Sequence, residues 1–203
     1  MAKIFKLSDS NSIASNCYIL KSSNEFCVID PSFPLEEAVY RSNAQSLTLK
    51  YIILTHTHYD HMIHLESYLN KNAELLVSPN DANGLTDPSL NLSNWLSGKS
   101  FSYNGEYKSI TEGDVIEVGD EMLRVIETPG HTAGSVCLVS DEYIFTGDTI
   151  FSDGVYGRFD LPGGSGKKLL KSLKRLANLN ENLIIYSGHG DNSTIGQSAL
   201  NFK

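Results

Sequence analysis

The sequence predicts an α/β fold with sheets inside and helices outside, and three observations carry that prediction. Short apolar, β-branched runs recur along all 203 residues, stretches between them show helical spacing, and several of the runs end on a histidine or an aspartate. With 40% hydrophobic and 20% charged residues, the composition is that of a soluble globular chain long enough to bury a core without staples. No linker interrupts it, so residues 1–203 read as one domain.

The chain opens with strands at residues 3–7, 16–21 and 26–29, separated by Ser- and Asn-rich turns. Residues 35–44 read as a helix leading into 51–55, a run with the pattern of a strand buried on both faces. Residues 62–69 have helical spacing and 74–77 read as the next strand, which makes a strand, helix, strand unit. From 80 to 108 the chain is rich in Asn, Ser, Gly and Asp and shows little periodicity, so a long surface excursion is expected there. Regularity returns with strands at 114–118, 121–128, 135–139 and 143–145, broken by Gly-Asp, Pro-Gly and Asp-Glu turns. Leu169, Leu170, Leu173 and Leu176 give residues 167–177 an apolar helical face, and 183–186 read as a last buried strand.

Several function classes drop out on composition. Lys and Arg number 16 against 24 Asp and Glu, a net charge of −8 that opposes attraction to a phosphate backbone. Apolar runs such as 52–54 and 183–186 fall far short of the ~18 residues that span a bilayer. Residues 1–10 show no secretory leader pattern, so a cytoplasmic location is expected. Cys17, Cys27 and Cys137 each lie in a strand-like run and read as buried free thiols, not ligands.

The chemistry concentrates in imidazoles. Three of six histidines fall within His56-Thr57-His58-Tyr59-Asp60-His61, directly after a predicted strand. His131, Asp148 and His189 each follow another strand, and polar groups at strand ends converge on one cleft in open α/β sheets. His56 and His58 are two apart, so an extended segment projects them the same way. Nitrogen and oxygen donors of this kind suit Zn, and also Fe or Mn, with an open position for water. Metal ligation lowers the pKa of water to about 7, which supplies hydroxide at neutral pH.

The H-x-H-x-D-H string, Thr128-Pro129-Gly130-His131-Thr132, Gly147-Asp148 and Ser187-Gly188-His189 together resemble the metallo-β-lactamase fold superfamily over nearly the whole chain. Thr132-Ala133-Gly134-Ser135, Phe145-Thr146-Gly147-Asp148-Thr149 and Gly157-Arg158-Phe159-Asp160-Leu161-Pro162-Gly163-Gly164 are most similar to its short glyoxalase II-like hydrolases. The resemblance implies an αββα sandwich, two mixed sheets with helices on both outer faces, and a site for two ions, zinc by preference. It implies that His56, His58 and His131 hold one ion, that Asp60, His61 and His189 hold the other, and that Asp148 bridges them; Asp60 is the candidate catalytic residue as well. A metal-bridging hydroxide would attack the carbonyl of a small acyl or thioester substrate. A lactone or, with a single iron, a persulfide substrate in the manner of a dioxygenase are alternatives, as is metal binding without catalysis.

Two features depart from that likeness or lie beyond it. Met62, Ile63 and His64 stand where family members commonly carry two glycines, and His64 is expected to play a structural or supporting role. Arg158 is a candidate substrate-binding residue, though Asp160 two positions on can hold it in an ion pair. In the excursion, Trp95 and Tyr103 read equally as a substrate wall and as loop anchors.

Overall fold

The computed structural model describes residues 2–10, 12–69 and 72–203; Met1, at the head of the stretch read for a leader, lies outside them. The first sheet contains, side by side, β1 (Lys3–Leu7), β2 (Cys17–Ser22), β3 (Glu25–Ile29), β4 (Thr48–Ile53), β5 (Glu74–Val77) and β6 (Lys108–Ser109). β1 to β3 form an antiparallel meander, and β3 to β6 run parallel. The second sheet contains β7 (Val115–Val118), β8 (Glu121–Glu127), β9 (Val136–Val139), β10 (Tyr143–Gly147), β11 (Ile184–Ser187) and β12 (Ser193–Thr194). There β10 and β11 are the parallel pair among antiparallel neighbours.

A parallel pair cannot be closed by a tight turn, so each needs a crossover. Helices α1 (Leu35–Ser42), α2 (Leu65–Tyr68) and α3 (Ser93–Ser97) lie in the three crossovers of the first sheet, and α4 (Gly166–Ala177) lies between β10 and β11. Helix α4 shows why its sequence is helical: the Ser165 hydroxyl accepts from Lys168 N–H at its start, and Lys174 and Arg175 face the negative end of the dipole. Leu169, Leu173 and Leu176 are buried against the second sheet, each contributing about 2 kcal/mol of transfer free energy. A short α5 (Ile195–Ser198) closes the same face.

Three apolar layers result, which is the expected αββα sandwich. Ile29, Ile53, Leu76, Val125, Leu138 and Phe145 meet between the sheets. Val28, Ile52, Leu54, Met62 and Leu65 fill the outer face of the first sheet. Ile52 and Ile53 thus go to opposite faces, which is the burial read from the 51–55 run. Met62 is fully buried in that outer layer, so the bulkier residue found in place of a glycine fills apolar space.

The structure departs from the sequence reading at the bounds of β4, Thr48–Ile53 against 51–55, in β12, which follows the strand read as last, and in two longer segments. The helix expected at 62–69 is a 3-10 turn at Tyr59–His61 followed by the single turn of α2, because His64 N–H donates to the Pro31 carbonyl (3.0 Å) in place of a helical partner. The 80–108 excursion carries regular pieces, a 3-10 turn at Ala82–Leu85, then α3 and β6. Buried Asn91 organises it, its amide donating to the Gly84 and Phe101 carbonyls (2.7 and 3.1 Å) while Oδ1 accepts from Ser93 N–H. Tyr103 packs against the outer layer of the first sheet and so anchors the loop.

Cys17, Cys27 and Cys137 are free and buried. Burial pushes the Cys17 and Cys27 thiols up to about 12 and Cys137 to about 11. Since the thiolate is the reactive form, the native protein should leave a thiol-specific chromogenic disulfide unreacted over hours and release three equivalents in denaturant; fast reaction of any thiol in the native state would contradict this burial.

Candidate metal centre

The strand ends converge as the sequence suggested. His56, His58, Asp60 and His61 follow β4, His131 lies in the turn between β8 and β9, Asp148 follows β10, and His189 follows β11, so both sheets deliver side chains to one edge of the sandwich.

Three imidazole nitrogens form the first group. His56 Nε2, His58 Nδ1 and His131 Nε2 lie 2.9–3.2 Å from one another. The second group is Asp60, His61 and His189, with His189 Nε2 at 3.1 Å and His61 Nε2 at 3.6 Å from Asp60 Oδ2. Asp148 stands between them: Oδ1 is 3.3 Å from His61, while Oδ2 is 3.6 Å from His131 and 3.7 Å from His189.

Outer hydrogen bonds decide which nitrogen faces inward. Asp30 follows β3 with a left-handed backbone (φ 55°) and accepts from Thr55 N–H, Thr55 Oγ1 and His61 Nδ1, each at 2.8 Å. The Thr55 hydroxyl proton is thereby committed, so its oxygen accepts from His56 Nδ1–H (3.2 Å). His131 Nδ1 donates to the Arg158 carbonyl (2.7 Å). In His56 and His131 the Nε2 lone pair is left facing the centre, and His61 likewise turns its Nε2 inward, the arrangement that metal-binding histidines obtain from their outer partners. His58 Nε2, His61 Nε2 and Asp148 Oδ1 are buried with no hydrogen-bond partner among the described residues. Converging lone pairs and unpartnered buried atoms are costly unless a cation joins them, and on that ground the donor set fits a metal ion.

A second carboxylate ties the first group together. Asp81 accepts from Thr57 N–H (3.2 Å), Thr132 Oγ1 (2.7 Å) and Gly134 N–H (2.7 Å), and its carbonyl accepts from Thr57 Oγ1 (3.0 Å). It therefore clamps the His56–His58 segment to the His131 turn. Gly84 permits this approach, because a Cβ there would come within 2.1 Å of Thr57 Oγ1.

Neither Asp30 nor Asp81 was singled out in the sequence. Asp30 ends the run Phe26-Cys27-Val28-Ile29, and the strand-end criterion applied to the histidines would have found it. Asp81 sits among Asn and Asp residues of the excursion, where nothing local marks it.

The remaining candidates lie outside the ligand groups. Arg158 pairs with Asp160 through two bonds (2.9 and 2.8 Å), and its guanidinium lies 5.8 Å from the Trp95 ring. Trp95 is largely exposed. The His64 carbonyl accepts from the Ser67 hydroxyl (2.8 Å), which places the residue at the head of α2.

Electrostatics divide the two groups. Burial, and then neighbouring imidazoles, hold His56 well below its ordinary value and bring His58 to about 3. Burial acts the same way on His61 and His189, but the carboxylates overcome it: Asp30, Asp148 and Asp60 raise His61, and Asp60 and Asp148 raise His189. The same pairing outweighs burial at Asp60 and Asp148 and keeps both carboxyls low.

The linkage signs follow. Below 6.5 the unfolded chain protonates His56 and His58 and the folded chain does not, so stability falls as pH drops. His61 and His189 are raised, so their contribution is complete below 6.5 and is lost as pH rises through their folded values. In chelator, stability should therefore peak near pH 6.5, and metal should move the peak upward because uptake displaces the protons on His61 and His189. Thermal melts from pH 5 to 9 with and without metal would check this; coincident profiles would contradict it.

Comparison with known proteins agrees with the fold. A solved structure described as BLEG-1 B3 metallo-β-lactamase superposes with a TM-score of 0.85 at 30% identity, over 97% of this chain and 95% of that one. TTHA1623 in a di-iron-bound form superposes with a TM-score of 0.81 at 27% identity, over 96% of both chains. The hydroxyacylglutathione hydrolase GloC of Haemophilus influenzae is 29% identical, over 90% of this chain and 88% of its own length. Residues 12–189 match the sequence profile of the metallo-beta-lactamase superfamily, and the chain belongs to that family.

Proposed function

We propose that this metallo-hydrolase family member cleaves a thioester or related small acyl compound and holds two ions, zinc by preference, on His56, His58 and His131 and on Asp60, His61 and His189, with Asp148 shared. The carrying observation is the two donor groups, each within 4.8 Å internally, with Asp148 reaching both. Bound metal would supply a water acidic enough to attack at neutral pH and would polarise the carbonyl.

The chain's own groups do the rest. His131, locked by the Arg158 carbonyl, keeps its Nε2 aimed at the cleft. Asp60, with its carboxyl held low, stays ionised and offers an acceptor oxygen that would orient the attacking water. Arg158, whose carbonyl holds His131, is the candidate substrate-binding residue, its guanidinium paired with Asp160 and 5.8 Å from the Trp95 ring. GloC supports the thioester reading by its name. Zinc is preferred for the N/O donor set, and the di-iron form of TTHA1623 makes iron the competing metal.

Elemental analysis of protein purified without added metal, paired with turnover of S-lactoylglutathione, other thioesters, a lactone and a β-lactam, tests the proposal. Two equivalents of metal and thioester hydrolysis are expected. Metal-loaded protein that hydrolyses no thioester would overturn it, and one iron with oxygen consumption on glutathione persulfide would replace it with a dioxygenase.

A further inference from the structure

Asp60 and His189, which meet at 3.1 Å, come from opposite sheets, and His189 is the most exposed of the candidate ligands, with 41% of its side chain open. Its ring is only partly packed, edge-on to His61 (5.5 Å) and Phe151 (6.1 Å), so the backbone of residues 187–190 has a large share in setting its position.

Where the carbonyls of that segment go is a complete accounting question. The Ser187 carbonyl accepts from Asn16 Nδ2 (2.8 Å) and Tyr18 Oη (2.7 Å). The Gly188 carbonyl accepts from Asn16 N–H (2.7 Å), and the His189 carbonyl from Ser187 Oγ (2.7 Å). The Gly190 carbonyl accepts from Asn16 Nδ2 (3.1 Å) and Lys6 Nζ. Three of the four carbonyls are therefore taken by Asn16, a buried residue just before β2 in the other sheet.

The preceding residue reaches the other ligand. Ser15 N–H donates to the Asp60 carbonyl (3.1 Å), and Ser32 Oγ donates to the Ser15 carbonyl (2.7 Å) to fix the strut. Gly188 leaves no slack on its far side, since a Cβ there would lie 2.1 Å from Asp148 Oδ1. The dipeptide Ser15-Asn16 thus spans from the backbone of Asp60 to the backbone around His189.

We infer that Asn16 is a positioning residue for the second metal site: its amide sets the separation of His189 from Asp60 and thereby the affinity for the second ion, while the first site, on His56, His58 and His131, does not depend on it. The inference rests on the two-ion reading proposed above. It requires a selective effect, because Asn16 makes no bond to the His56–His58 segment or the His131 turn.

The test is a zinc titration of the metal-stripped protein against a chromogenic chelator, which resolves the affinity of each equivalent without reference to activity. Asn16→Asp keeps the shape but turns an oxygen toward two carbonyls. It should weaken the second equivalent about 10- to 100-fold, the usual cost of losing an outer partner, and leave the first within about threefold. Asn16→Ser removes the same donors without adding charge and carries the same expectation if the aspartate variant does not fold. Leu173→Ala, in the helical layer away from the site, serves as a variant of lowered stability and should keep both affinities. Equal weakening of both equivalents, or an unchanged second one, would overturn the role of Asn16. A parent protein that takes up a single equivalent would instead overturn the two-ion reading beneath it.

Discussion

His58→Ala should lower kcat/KM on the best substrate of the acyl panel by at least about a thousandfold, which corresponds to about 4 kcal/mol of transition-state stabilisation. The substitution removes one of three nitrogens that meet within 3.2 Å, and two imidazoles cannot close that coordination. Its effect on stability should depend on metal. In chelator, the parent carries a buried, unpartnered His58 Nε2, and its Nδ1 faces the inward lone pairs of His56 and His131. Loss of that unpartnered nitrogen offsets part of the cavity cost of truncating a buried ring, so in chelator the variant should lose about 1–3 kcal/mol, or about 2–12 °C for a chain of this size. With metal at a thousand times its dissociation constant, the parent gains about 4 kcal/mol that the variant forgoes. Melting curves in chelator and in excess zinc read both effects. An equal loss in the two conditions, or parental activity, would remove His58 from the site.

Asp81→Ala should be costly even though Asp81 touches no candidate ligand. The Thr57 and Gly134 amides and the Thr132 hydroxyl would lose a buried carboxylate acceptor. Bonds to charged groups contribute about 1.5–3 kcal/mol each, and donors left unpaired add their own desolvation cost. A loss of at least about 3 kcal/mol is expected, or a melting point lower by about 6–12 °C. The clamp also sets the spacing of His56 and His58 from His131, so affinity for the first metal equivalent should fall about 10- to 100-fold. Asp81→Asn, which swaps an acceptor for a donor at one oxygen, should fall between parent and alanine variant on both readouts. Stability lost with no change in metal affinity would make Asp81 a fold residue alone.

The sheets were legible in the sequence because each strand alternates or runs apolar for reasons local to it; β1, β5 and α4 lie where the pattern put them to within a residue. Two-residue strands such as β6 and β12 escape such a reading, since two residues carry no period. The ligand cluster was legible because His56, His58 and His61 have no common role in a core, and the motifs around His131, Asp148 and His189 repeat the strand-end pattern. What surrounds the cluster was less so. Asn16 looks like an ordinary turn residue in a Ser- and Asn-rich stretch, while Asp30 carries only the strand-end signal, and the importance of both comes from partners 25–174 positions away. Arg158 shows the converse: Asp160 two residues on was visible, and the bidentate pair formed. No helix among the described residues is long and apolar enough to cross a membrane, as the short apolar runs implied.

The two sheets are consecutive in the chain, residues 3–109 and 115–194, and each brings only part of the donor set: His56, His58, Asp60 and His61 from one, His131, Asp148 and His189 from the other. On the proposed two-ion reading neither half can complete either ligand group, so a cation captured at full strength would work as a rivet through the seam. During refolding, the rate of tight zinc uptake would clock the moment at which the two halves dock, and a chelator would lengthen the lifetime of the undocked state without touching the hairpins already formed within each half.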